Sequence, residues 1–78
     1  MENKPVFDYS KLRGRIIEKF GTLKAFAQAM HMSAPSLTNK LAGQTYFSQA
    51  DIIKAIDLLC IENEPVTPYF FTLKVKKT

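Results

Sequence analysis

Residues 22–43 read TLKAFAQAMHMSAPSLTNKLAG, and the fold turns on this stretch. Leu23, Phe26, Ala27 and Met30 recur at helical spacing with Lys24 and Gln28 on the opposite side, and Leu37 and Leu41 form a second, shorter stripe. Thr22 and Ser33 each precede a helical pattern, where a hydroxyl can accept an otherwise orphaned amide. Pro35 falls in a first helical turn, which has no internal amide bond to lose, and Gly43 supplies a stop. The turn lies at His31. Ala27, His31 and Leu37 have the spacing of a helix-turn-helix, a geometry that projects the second helix so that its exposed side can enter a DNA major groove. The first helix of the pair is only about eight residues long and must borrow stability from its neighbours.

Working outward, Asp8 can cap an earlier helix in which Leu12, Ile16, Ile17 and Phe20 face inward, leaving Lys11, Arg13, Arg15 and Lys19 largely outside, until Gly21 ends it. Residues 1–7 lack periodicity and are expected to form a flexible arm. On the other side, Ser48 and Asp51 make a Ser-x-x-Asp cap for a helix whose inward residues are Ile52, Ile53, Ile56, Leu59 and Cys60. Thr67 and Pro68 can start a last short turn through Tyr69 and Phe70, although Phe71, Leu73 and Val75 alternate with Thr72, Lys74 and Lys76 as a strand does. The expectation is an all-α bundle of four to five helices, with a folded domain over 8–71, a basic tail over 72–78 and a strand-like alternative for that tail.

The composition suits a single small core: 78 residues, 46% hydrophobic. Eleven Lys and Arg against seven Asp and Glu give a net charge of +4, which favours polyanionic partners or simply keeps a small domain soluble. The basic residues Lys11, Arg13, Arg15, Lys19, Lys24 and Lys40 share their part of the chain with one acid, Glu18, so the positive half coincides with the helical pair. Cys60 has no cysteine to pair with and reads as a small core hydrophobe, which fits a cytoplasmic protein. No apolar run approaches the roughly 20 residues a bilayer span needs, so neither membrane nor secretion is indicated. One His and one Cys, without CxxC or His-x-x-His spacing, supply no metal-ligand set. Asp51 and Asp57 are not spaced as a catalytic pair, and no phosphate-cradling glycine motif occurs, so neither enzyme activity nor a cofactor is expected.

Phe20-Gly21-Thr22, Phe26-Ala27, Ser33, Leu37 to Leu41, Phe47, the helix from Asp51 to Leu59 and Tyr69-Phe70-Phe71 together resemble the lambda-type repressor and Cro superfamily, and more closely the small Cro-like proteins of temperate phages of Gram-positive bacteria. The resemblance implies a lambda-repressor-like bundle in the bacterial host cell that binds operator DNA as a transcriptional regulator. On that implication Ser36, Asn39 and Lys40 reach base edges or nearby phosphate, and Thr38 offers a methyl or hydroxyl. Ala34 and Pro35 are limited to thymine-methyl contact or shape readout. Asn39 is the best direct reader, because its amide can pair bidentately with adenine. Thr22, Lys24, Gln44 and Thr45 lie along the phosphate backbone, with Lys11, Arg13 and Arg15 adding charge.

The sequence departs from that family at Leu23, where relatives usually place a phosphate-gripping Gln, at Ala34 and Pro35, where relatives place long polar readers, and at His31, where a Gly is usual. His31 is read as a strained turn residue rather than a pH sensor. These departures expose apolar surface on the DNA-facing side and motivate a second reading, an antirepressor that binds a partner repressor protein through the same face. Leu23, Ala34, Pro35 and Tyr46 would form its contact patch and Asn39 and Lys40 its rim. The aromatic tail has two readings as well: Tyr69 and Phe70 complete the core, or the tail forms a homodimer contact that sets two recognition helices about 34 Å apart.

Overall fold

In the computed structural model, which describes residues 7–73, the chain forms α1 (Ser10–Phe20), α2 (Leu23–Ala29), α3 (Ala34–Leu41), α4 (Gln49–Leu58) and α5 (Thr67–Phe70). The all-α bundle of short helices expected from the sequence is what forms. α1 packs on α2 and on α5, and α2 packs on α3. Their apolar stripes meet in one core, in which Leu12, Ile16, Phe26, Leu37, Leu59 and Ile61 are fully buried. Among the described residues no helix exceeds 11 residues, so this shared core, rather than helix propensity, holds each of them.

Local chemistry sets the boundaries. Thr22 Oγ1 accepts the Ala25 amide, and Ser33 Oγ accepts the Ser36 amide, both at 3.1 Å. Ser48 and Asp51 form a reciprocal capping box, each side chain accepting the other's amide at 3.0 Å. At their C-terminal ends, α2, α3 and α4 share one stop, with a residue in the left-handed region at His31 (φ 62°), Gly43 (φ 88°) and Cys60 (φ 57°). In each, the amide of that residue and the amide after it turn back onto the helix: His31 to Gln28 and Met32 to Ala27, Gly43 to Lys40 and Gln44 to Asn39, Cys60 to Asp57 and Ile61 to Ile56.

Several positions differ from expectation. α1 begins at Ser10 with Tyr9 as its cap residue, one place later than expected, and Asp8 still accepts an orphan amide of its first turn, that of Ser10 (2.9 Å), along with the Ser10 hydroxyl (2.6 Å). Ile17 is 48% and Ile53 68% exposed. Each follows a core-facing isoleucine, and a helix turns about 100° per residue, so only one of the pair can face the core. Cys60 is exposed rather than packed inside, because the left-handed stop turns the chain there and delivers Ile61 to the core instead. Thr67–Phe70 forms the short helix, burying Tyr69 and Phe70; beyond it, Leu73 makes a single antiparallel bridge with Phe7, with the Asp8 amide donating to the Thr72 carbonyl at 2.6 Å, and the rest of the alternating stretch lies outside the described residues. Most of the expected arm over 1–7 and basic tail over 72–78, Val75 included, lies outside the described residues. Tyr9, Phe47 and Phe70 stack edge to face at 5.4 and 5.7 Å, tying the entry to α1, the α3–α4 loop and α5 together.

His31 supplies a test of the stop. A left-handed conformation costs a side-chain-bearing residue about 1–2 kcal/mol, and glycine gives back part of that relief through its greater freedom when unfolded. His31→Gly is therefore expected to stabilise the chain by about 0.5–1 kcal/mol in urea denaturation, and His31→Val to destabilise it by more than that.

Candidate functional site

The α2–turn–α3 unit presents one outward surface. On α3, Ala34, Pro35, Thr38 and Asn39 are exposed, Ser36 is half-buried, and Leu37 and Leu41 point inward. Thr22 and Lys24 are exposed at the start of α2, and Gln44 and Thr45 in the loop after α3. The structure therefore brings together eight of the residues singled out in the sequence, Thr22, Lys24, Ala34, Pro35, Thr38, Asn39, Gln44 and Thr45, on the exposed parts of one supersecondary unit.

Lys40 is different. Its Nζ donates to the Tyr46 carbonyl at 3.1 Å and lies 3.6 Å from Asp51 Oδ2, leaving the side chain 17% exposed. The exposed residues of α3 consequently carry no charge. Burial alone raises the Asp51 carboxyl, but hydrogen bonds from the Ser48 amide and hydroxyl and the nearby Lys40 ammonium outweigh it and hold it below the usual carboxylate range. Leu23, proposed as part of an apolar contact patch, is half-buried against the core, which leaves Ala34 and Pro35 as the apolar part of the α3 face.

Lys11 and Arg15 belong to another group. Arg15 Nε donates to the Leu59 carbonyl at 3.3 Å, and its terminal nitrogens reach Glu18 at 3.5 Å and Glu64 at 3.2 Å. The other Glu64 oxygen accepts the Tyr69 hydroxyl at 2.6 Å, and Lys11 Nζ sits 5.0 Å from the centre of the Tyr69 ring. This cluster joins α1, the end of α4 and α5. No periodicity announces it, since Arg15 and Glu64 are 49 residues apart. The same is true of the pairing of Lys40 with Asp51. A third feature is an apolar groove of about 400 Å³ lined by Phe7, Tyr9, Tyr46, Phe47, Ile52, Phe70 and Phe71. Tyr46, grouped with Ala34 and Pro35 in the sequence reading, thus lines this groove. Among the described residues no three His, Cys, Asp or Glu gather as a metal would require, and no helix is long and apolar enough to cross a membrane.

The described residues form a compact bundle of five short helices with an uncharged outward helix, which places the chain in the class of small all-helical domains. It matches the solution structure of the modulator of repression of the temperate bacteriophage TP901-1 from Lactococcus lactis with a TM-score of 0.74 and 37% identity, over 90% of this chain and 95% of that one. Residues 5–73 match the family described as "Protein of unknown function (DUF739)", and the chain belongs to that family. None of the curated proteins matches it.

The Tyr69 hydroxyl is raised above its ordinary value by its hydrogen bond to Glu64, then by burial and by the Glu64 charge; Tyr9 is raised by burial and by Tyr46. A raised folded-state value means that these groups contribute stability fully present below the unfolded value of 10.0 and lost as pH rises through the higher folded values. The thermal midpoint is expected to fall as pH is raised above 10. Tyr69→Phe should flatten that alkaline loss while costing about 1–2 kcal/mol at neutral pH for the missing hydrogen bond to a carboxylate.

Proposed function

We propose that this domain is a modulator of repression of the temperate-phage type that binds a partner repressor protein through the outward face of α3, around Ala34, Pro35, Thr38 and Asn39. The observation that carries this reading is the missing charge on that face. A protein that docks on DNA draws a large share of its affinity from cations meeting phosphates, whereas the centre of a protein interface is depleted of charge. Lys40, the one basic residue of α3, is turned into an intramolecular contact, and Arg15 likewise. The likeness to a protein named as a modulator of repression supports the same reading. In this role the chain works in the bacterial cytoplasm.

The competing reading is direct operator binding, with Asn39 and Ser36 at base edges, Thr22, Lys24, Gln44 and Thr45 on phosphate, and the chain paired through its tail into a homodimer. The exposure of Asn39, Thr22, Lys24, Gln44 and Thr45 favours it. Salt separates the two. The test measures binding of the chain to the repressor encoded in its own control region and to duplex DNA from that region, between 50 and 200 mM salt. Repressor binding that changes little with salt and is weakened at least tenfold by Thr38→Arg, with the far-UV spectrum unchanged, is the expected result. Sequence-selective retention of operator duplex that falls steeply with salt, about 10³-fold or more for six phosphate contacts, together with no repressor binding, refutes it.

A further inference from the structure

Lys40 and Asp51 meet where the end of α3 approaches the start of α4. The ammonium donates to the Tyr46 carbonyl at 3.1 Å and faces Asp51 Oδ2 at 3.6 Å, and the same Oδ2 accepts the Ser48 amide at 3.0 Å. The side chains are 17% and 24% exposed, so the pair is largely shielded from water. Lys40 follows Asn39, which is exposed on the outward face. From Lys19 to Ala50 the sequence contains no acid, so Asp51 is the first carboxylate beyond the α2–α3 unit, and it is directed at the sole cation of α3.

We infer that Asp51 is a partner-selecting residue: by holding Lys40 against the start of α4 it withholds the one cation of α3 from phosphate and turns this face from DNA toward protein. The inference rests on the reading that a protein occupies the α3 face. To reach a phosphate, Lys40 must leave a shielded carboxylate and the Tyr46 carbonyl, a cost that a solvated lysine does not bear. A specificity device of this kind works by penalising the wrong partner rather than by adding contacts to the right one.

The experiment measures fluorescence anisotropy of a short mixed-sequence duplex against the full chain and its Asp51→Asn, Lys40→Ala and doubly substituted forms, between 50 and 200 mM salt. Asparagine keeps an oxygen for the Ser48 amide while removing the charge. Asp57→Asn, the same charge change at an exposed position of α4, controls for net charge. Asp51→Asn is expected to tighten duplex binding about threefold to tenfold at 50 mM and to steepen the salt slope by about 0.9, so that the gain shrinks about 3.5-fold by 200 mM. Lys40→Ala alone leaves binding unchanged, and the double variant loses the gain. An equal gain in Asp57→Asn, a gain that survives removal of Lys40, no gain in a folded Asp51→Asn, or a slope that falls by about one unit in Lys40→Ala overturns the inference. If Asp51→Asn does not fold, the Lys40→Ala slope still decides. The assay contains no repressor, so its outcome is independent of whether repressor binding is found.

Discussion

The left-handed backbone at His31 directs α3 away from α2 while the amides of His31 and Met32 close the end of α2, and the surface the molecule offers follows from that one change of direction. A chain of short helices has little intrinsic tendency to hold its elements at fixed angles. Here α2, α3 and α4 end in the same hydrogen-bonded stop, so the angles between successive helices are built into the backbone, and the buried side chains have only to keep the pieces together. Leu37 and Leu41 can then be fully committed to the core while Thr38 and Asn39, their immediate neighbours, stand outside.

Much of this was readable in the residues. Thr22, Ser33, Ser48 and Asp51 are capping types ahead of periodic apolar runs, and all cap as their chemistry dictates. Ile17 and Ile53 misled because a pair of adjacent isoleucines gives no local signal of which one faces inward; that depends on where the neighbouring helices lie. Cys60 misled for a different reason: an apolar context suggests burial, but the residue that ends a helix in the left-handed region is thrown outward whatever its hydrophobicity. The exposed face of the α2–α3 unit was legible from spacing alone. The fates of Lys40, Arg15 and Lys11 were not, because their partners Asp51, Glu64 and Tyr69 are brought to them only by tertiary folding.

Those three residues show why a net charge of +4 is a poor map of a binding surface. Counted along the chain they are three of the six basic residues from Lys11 to Lys40, and Arg13, Lys19 and Lys24 stay exposed. In the folded molecule Arg15 ties α1 to the end of α4, Lys11 lies over an aromatic ring and Lys40 closes the junction of α3 with α4. The basic sequence segment and the outward helix overlap in number, yet that helix exposes only uncharged side chains, and it is the spatial arrangement that a partner meets.

The bridge between Phe7 and Leu73 places the entry and the exit of the fold side by side, beside the aromatic groove. Under tension applied at its two ends, such a molecule unzips: the load falls on one backbone pair at a time instead of being shared across a row of bonds in shear.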